Sequence, residues 1–510
     1  METVFGEHSR VSEVVTIDQI KNWNNGDIIT IKAGTGAGKS HFIKNILYAH
    51  AKHHHKKILM LIHRINCTDQ FQAEVEKDKK TDVIEIKTYQ SIEAKYKKNE
   101  TFDFSPYQYI VCDEFHYFMS DAAFNKTTDM SLETILALSN KIRIFMSATG
   151  DYMTRYIANY KKMETINYEL KIYFNFIKQL TFFNRDDTLE SFIEEVIERN
   201  IKTIFFIQSA RKAFELYKKY KDYAMYNCGK SDRHYKYVDQ EKINTMLQEE
   251  KFNDLILITT TCMDAGVNII DEELQHIVCD VKDTGTLVQC IGRKRIRSKD
   301  DGIYLHIKTI TNQQLGGMVT QLSKKLEMAQ YLRNNNIQDY IEKYPREYDK
   351  WTIVYTDIVA DESDKATLKI NELMYFKCLL DIAEVEAMIK YGDFGYCKYL
   401  AVKFGFFDEQ NGYDYTLIEE VEKNKVLENY LDGIVGKVML QAKDRTELIE
   451  KVNVRDGNNN RLLKNIDTLN GKLKGIGLNF IIDQFETSRI VNGKKQKYKQ
   501  AWRVLRLSDY

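Results

Sequence analysis

One stretch restricts this chain more than any other: Ala33-Gly34-Thr35-Gly36-Ala37-Gly38-Lys39-Ser40, with glycine at every second position through its middle. It follows Asp27-Ile28-Ile29-Thr30-Ile31-Lys32, an alternating, β-rich run, and it opens into Lys39 to Ala51, where the apolar residues recur at helical spacing. Strand, tight glycine turn and helix in that order bring backbone N–H groups and the positive end of a helix onto one point. Gly34, Gly36 and Gly38 stand where a side chain would collide with a closely held polyphosphate. Lys39 is then placed to neutralise phosphate charge, and Ser40 to offer its hydroxyl to Mg2+.

A strand and helix of this kind must belong to a larger parallel sheet, and the chain supplies the partners. Short apolar runs at Ile58 to Ile62, Val83 to Ile86, Tyr109 to Cys112 and Ile142 to Met146 are each bounded by polar segments, as buried parallel strands joined by helices require. After Asp151 the pattern restarts, with runs at Thr203 to Ile207, Leu255 to Thr259, His276 to Cys279 and Ile303 to Ile307. The expected fold class is α/β, two tandem parallel-sheet lobes. Beyond residue 312, helical runs such as Gln321 to Asn334 and Asn371 to Lys390 predict a mostly helical region. At the end, a helix over Arg461 to Gly475 precedes two strand-like runs, Phe480 to Phe485 and Ala501 to Leu507, around an Asn492-Gly493 turn. The expected domains are 1–152, 153–311, 312–445 and 446–510, in keeping with about three or four for this length.

Hydrolysis of a bound triphosphate needs a carboxylate at the metal and a second group to orient water, both at the end of a neighbouring strand. Tyr109-Ile110-Val111-Cys112-Asp113-Glu114 ends in both, with Asp113 the metal-site candidate and Glu114 the candidate base. Continued to Asp113-Glu114-Phe115-His116, the segment resembles the DExH box of superfamily-two helicases. That resemblance implies RecA-like lobes, ATP with Mg2+ as the cofactors, and a set of further motifs between about residues 14 and 310.

Those motifs can be placed residue by residue. Ser147-Ala148-Thr149 is similar to the third motif, which implies that Ser147 and Thr149 couple hydrolysis to movement. His63-Arg64 and Thr88-Tyr89-Gln90-Ser91 resemble strand-binding loops, implying nucleic-acid contacts from Arg64, Thr88 and Gln90. Gln208-Ser209 after the run Thr203 to Ile207 resembles the fourth motif, with Ser209 on a phosphate. Thr259-Thr260-Thr261 with Asp264-Ala265-Gly266-Val267-Asn268 resembles the fifth, implying nucleic-acid contact at Thr260 and nucleotide contact at Gly266 and Asn268. Asn268 stands where many relatives carry Asp. Gln289-Cys290-Ile291-Gly292-Arg293-Lys294-Arg295-Ile296-Arg297 is similar to the sixth, whose arginines reach the γ-phosphate from the second lobe. Ile296 occupies the strict last arginine position, so the finger is Arg295 or Arg297, with Arg295 favoured.

Composition excludes several alternatives. Lys plus Arg equal Asp plus Glu at 74 each, so any nucleic-acid surface must be local rather than a field of the whole protein. The clearest such surface is Arg489 to Arg506, where Lys494, Lys495, Lys497 and Lys499 alternate with Tyr498 and Trp502; Lys494, Lys495, Lys497 and Trp502 are the candidate contacts. This end resembles the winged-helix modules of some helicases and of phage or mobile-element replication proteins. The eight cysteines form no C-x-x-C pair, and His53-His54-His55 lacks partner ligands at zinc spacing. No apolar run reaches the roughly 20 residues of a membrane span, and the start is not a leader, so a cytosolic protein without membrane contact is expected. The expected activity is a nucleic-acid-stimulated ATPase that translocates along or unwinds its partner, a DNA single strand or fork rather than RNA. An RNA helicase and a non-unwinding clamp or remodeller are the alternatives, and no protein partner is indicated.

Overall fold

The computed structural model of the chain describes residues 3–5, 10–63, 65–98, 100–123, 128–263, 267–298, 301–345, 353–358, 366–456 and 461–507. These divide into two compact units, Met1–Tyr415 and Thr416–Tyr510.

The first unit contains two parallel sheets, which makes it a tandem α/β structure. Strands β1 (Thr3–Phe5), β2 (Ile28–Lys32), β3 (Lys57–Ile62), β4 (Ile84–Thr88), β5 (Tyr107–Asp113), β6 (Ile142–Ser147) and β7 (Ile166–Leu170) form the first in the order β1-β7-β2-β6-β5-β3-β4. The phosphate-loop strand β2 lies between β6 and β7, and β5 lies between β6 and β3, so the loop, Asp113 and Ser147 emerge along one edge of a single sheet. Alternation along these strands splits the core in two. Ile29, Ile31, Met60, Val111 and Met146 pack with Phe42, Ile43 and Leu47 of the phosphate-loop helix on one face. Ile28, Leu59, Leu61, Ile110 and Phe145 pack on the other, in a core that continues into Leu326, Met328, Leu373 and Phe376.

The second sheet runs through β10 (Ala224–Asn227), β11 (Ile256–Thr259), β9 (Lys202–Ile207), β12 (Leu274–Asp280), β13 (Ile303–Lys308) and β8 (Ile177–Phe183), again with parallel neighbours. Helices Asn312–Asn334 and Glu372–Lys390 follow, over the two runs expected to be helical, and then the helix Gly395–Phe404. An antiparallel pair, Val354–Ile358 with Ala366–Ile370, interrupts the region expected to be mostly helical.

In the second unit, helices Ile418–Gly433, Thr446–Val452 and Ile466–Gly475 precede a long hairpin, Phe480–Val491 and Lys494–Arg506. Asn492 and Gly493 both take positive φ, +50° and +77°, the requirement of the two-residue turn whose twist matches paired strands. The hairpin base shares a core with Leu427, Leu431, Leu448, Leu469 and Leu473. Among the described residues no helix is long and apolar enough to cross a membrane, and no group of His, Cys, Asp and Glu is arranged to hold a metal ion by itself.

Candidate active site

The glycine loop turns as its composition requires: Gly36 and Gly38 have φ of +84° and +85°, which residues with a Cβ rarely adopt. Gly38 caps a continuous helix from Lys39 to His53, whose middle turn, Phe42–Leu47, is wound to the wider π pitch. Lys39 is buried and curls back over its loop, its Nζ donating to the carbonyls of Ala33 at 2.9 Å and Gly34 at 3.4 Å. Gly34, Thr35, Gly36, Gly38, Lys39 and Ser40 line a cavity of about 310 Å³, together with Asp113, Glu114, Asn268, Arg293 and Arg295. Residues from both lobes therefore face one space. Ala37 packs beside the core beneath the loop.

The two carboxylates are unlike each other. Burial, then the adjacent charge of Glu114, push the Asp113 carboxyl up to about 7. Burial also opposes ionisation of Glu114, but Lys39, His116 and Arg293 more than offset it and hold that carboxyl below the usual range. Asp113 Oδ1 is buried without a hydrogen-bond partner. A buried, unpartnered carboxylate oxygen facing the same cavity as the Ser40 hydroxyl is a donor set that fits a hard divalent cation. Glu114 is held at φ +49°, a left-handed conformation unfavourable for a residue with a Cβ, costing roughly 1–2 kcal/mol.

A hydrogen-bonded chain leads from Glu114 into the second lobe. Ser147 Oγ donates to Glu114 Oε2 at 3.3 Å and accepts from the Thr149 backbone N–H at 3.0 Å. His116 Nδ1 lies 2.9 Å from Ser147 Oγ and 3.2 Å from Glu114 Oε2. Gln289, on the helix Thr284–Ile291, donates through Nε2 to His116 Nε2 and to Thr149 Oγ1, both at 2.9 Å. Ser147, Thr149, His116 and Gln289 thus form one network.

The arginines divide the remaining work. Arg293 is buried, its Nε donating to the Gln289 carbonyl at 2.9 Å and its Nη1 to that of Val267 at 3.1 Å. Arg295 lies directly over the glycine loop: a Cβ added at Gly36 would stand 3.4 Å from its Nη1. Burial and the neighbouring Arg293 lower its guanidinium to about 10. Arg297 is exposed and outside the cavity lining, whereas Arg295 is part of it. Asn268 Oδ1 accepts from Arg295 Nε at 2.8 Å, while its Nδ2 donates to Glu250 Oε1 at 3.1 Å. Asn268 thus stands between Arg295 and the carboxylate of Glu250, which no motif pointed to. A Cβ added at Gly292, next to the arginines, would collide with Thr35 Oγ1 of the loop.

The proposed strand-contacting residues are less distinctive. Thr88 and Ser209 spend their hydroxyls capping helices, accepting from the N–H groups of Ser91 and Lys212. Gln90 Nε2 lies 3.3 Å from both His63 Nδ1 and Tyr117 Oη, and Thr260 is buried with its Oγ1 accepting from Cys262 N–H. Arg64 and Gly266 lie outside the described residues. Lys494, Lys495 and Lys497 are exposed on the hairpin. Trp502 corrects the expectation of base stacking. It is 5 % exposed in the core of the second unit, with the Arg445 guanidinium 4.9 Å from its ring centre, so the ring is spent on packing.

Residues 10–151 match the family described as Type III restriction enzyme, res subunit. No curated protein sequence matches the chain. Its structure is similar to S. cerevisiae Dbp5 bound to RNA and ADP BeF3, at TM-score 0.45 and 16 % identity over 57 % of this chain and 82 % of that one. It is also similar to the DEAD-box helicase Mss116 bound to ssRNA and UDP-BeF, at TM-score 0.45 and 14 % identity over 80 % and 92 %. The Mycobacterium smegmatis helicase Lhr bound to ssDNA and AMP-PNP is similar at TM-score 0.36 and 13 % identity over 63 % and 45 %. The family match covers residues 10–151, the lobe that carries the glycine loop, Asp113 and Glu114.

Proposed function

We propose that this chain is a DExH-type, ATP-dependent helicase or translocase acting on DNA, in which closure of two lobes around ATP drives movement along a strand. The observation that carries this reading is the composite site, in which Arg295 of the second lobe overlies Gly36 of the first while Gln289 reaches His116 and, through Ser147, Glu114. A simple nucleotide-binding lobe has no use for such a connection.

Each residue then has a task. The loop N–H groups and Lys39 bind the β- and γ-phosphates, Glu114 orients water, and Arg295 with Arg293 stabilises charge on the transferring phosphoryl group. Mg2+ would be held by Ser40 and Asp113; when bound it neutralises phosphate charge. An arginine supplied by the second lobe contributes about 10³ to 10⁵ in rate, which makes hydrolysis conditional on closure. Ser147, Thr149, His116 and Gln289 carry that condition between lobes, and Arg64, Thr88, Gln90, Ser209 and Thr260 are the proposed grip on the strand.

The hairpin supports a duplex partner. Paired residues share a face, so Ile490 with Lys495 and Ser488 with Lys497 lie on one side, and Val491 with Lys494 and Arg489 with Gln496 on the other. A ribbon basic on both sides suits a groove walled by phosphates, and the DNA major groove admits a two-stranded ribbon, whereas that of A-form RNA is too narrow and deep. The helices followed by this hairpin are the support for a winged-helix-like reading of the unit and for a role in phage or mobile-element replication.

The deciding experiment is strand displacement from a forked DNA with ATP, beside Asp113→Asn. ATP-dependent displacement lost in the variant is expected. ATP consumption without displacement on any overhang would leave a clamp or remodeller, and displacement of RNA duplexes alone would make the chain an RNA helicase.

A further inference from the structure

The helix Glu372–Lys390 lies outside every motif discussed above, yet it touches both lobes. At its start, Asn371 Nδ2 donates to the Ala122 carbonyl at 3.1 Å, and the Phe376 ring meets Tyr156 and Tyr160 at 5.3 and 5.5 Å between centres, all first-lobe partners. Further along, Lys377, Asp381 and Glu384 follow at spacings of four and three, which puts them on one face. Lys377 Nζ lies 2.6 Å from Asp381 and 3.7 Å from Asp283. Asp283 is the N-cap of the helix that carries Gln289.

Glu384 joins three elements. Its Oε2 accepts from Tyr152 Oη at 3.0 Å, and its Oε1 accepts from Thr284 Oγ1 and Tyr399 Oη, each at 2.8 Å. Tyr152 follows the Ser147–Thr149 segment of the first lobe; Thr284 is the first residue of the Gln289 helix in the second. Glu384 thus accepts from a group on each side of the cleft that the nucleotide is meant to close.

We propose that Glu384 is a positioning residue for ATP hydrolysis: from the accessory helix, it ties the third-motif segment to the helix leading to the arginines and so sets where Arg295 meets the glycine loop. This rests on the reading of the cleft as a two-lobed ATPase. Thr284 lies five residues before Gln289, about 7.5 Å along a rigid helix, so a displacement at Glu384 is carried to the catalytic network. Misplacement on the scale of 1 Å is enough to cost about a hundredfold in rate.

The test uses the full chain with Glu384→Ala, Glu384→Gln, Tyr152→Phe and Thr284→Val. Nucleic-acid-stimulated kcat and KM for ATP are measured, with thermal unfolding as the control for folding. Glu384→Ala should lower kcat at least about tenfold while KM stays nearly unchanged, the mark of an interaction that acts on the transition state. Glu384→Gln keeps one acceptor oxygen for Thr284 and Tyr399 and offers Tyr152 a donor, so it should retain most of the activity. Tyr152→Phe and Thr284→Val should each reproduce the alanine defect, and the pair together should be no worse, because a tie fails when either end is cut. These two variants carry the test if Glu384→Ala does not fold. A folded Glu384→Ala with wild-type kcat, or additive losses from the two ends, would overturn the proposal.

Failure of the ATPase reading is told apart by a second measurement, energy transfer between dyes on the two lobes with a non-hydrolysable ATP analogue. If the wild type hydrolyses nothing, Glu384→Ala should still broaden the lobe separation and Glu384→Gln should not. An unchanged separation in Glu384→Ala would reject the tie.

Discussion

Gly292→Ala adds one methyl group at the place where the lobes meet. The backbone tolerates it, since Gly292 has φ −70° and ψ 0°, an ordinary right-handed conformation. What opposes it is space: the added Cβ would stand under 3.0 Å from Thr35 Oγ1, on the glycine loop of the other lobe, and 3.4 Å from both Thr35 Cβ and the Val288 carbonyl. The Thr35 side chain must rotate or the two lobes part by up to about 1 Å, and Arg295, three residues on, moves with the second lobe. A displacement of that size costs about 10²-fold in rate, or roughly 2.7 kcal/mol at 1.36 per decade. The assay is steady-state ATP hydrolysis with saturating nucleic acid, together with equilibrium binding of a fluorescent ATP analogue. Expected are a kcat lower by about a hundredfold and nucleotide affinity close to wild type, because the phosphate-loop ligands stay in place. Thr35→Ala removes the oxygen that collides and leaves only the 3.4 Å contacts, so the double variant should recover most of the loss. Wild-type kcat in Gly292→Ala, or a double variant no better than the single, would refute the reasoning.

Two further predictions concern other parts of the chain. In the second lobe His276 Nδ1 and His306 Nε2 are 2.9 Å apart, and burial, then His276, lowers His306 to about 3. The unfolded chain takes up that proton first as pH falls below about 6.5, so stability present above 6.5 is lost downward toward 3, about 2 kcal/mol of it by pH 5. Denaturant unfolding against pH should show this slope, and His306→Leu should flatten it; an equal slope in the variant would contradict the assignment. On the hairpin, Lys494→Glu with Lys495→Glu should weaken duplex DNA binding and reduce the salt dependence by roughly 1.8, two phosphate contacts at 0.9 each, in a titration without ATP. An unchanged slope would remove the hairpin from the interface.

The catalytic core was legible in the sequence for a physical reason. A phosphate loop needs glycine where φ is positive and approach is close, and buried parallel strands need short apolar runs, so Gly36, Gly38, β2, β5 and β6 announce themselves locally. The Asn492-Gly493 turn was legible on the same ground. Other strands were not: Ile166–Leu170, between β1 and β2, reads INYEL, with too little apolar content to stand out, and the same holds for Val354–Ile358. Glu250 and Glu384 were hidden because their roles come from partners 18, 100 and 232 residues away, which no local pattern encodes. Trp502 was misread because alternation does not say which face of a ribbon is buried. Trp502 and Val504 share the face that is packed into the core, and Ala501 is buried as well.

The most direct test of the central claim, one ATPase site built from two lobes and governed by nucleic acid, is ATP hydrolysis measured in parallel with no nucleic acid, with single-stranded and forked DNA, and with RNA. Each condition is repeated with Lys39→Ala and Arg295→Ala. The account predicts stimulation by DNA, no hydrolysis with Lys39→Ala, and loss of the stimulated rate by about 10³-fold or more with Arg295→Ala although that residue belongs to the other lobe. Hydrolysis that no nucleic acid stimulates, or that survives the loss of Arg295, would contradict it.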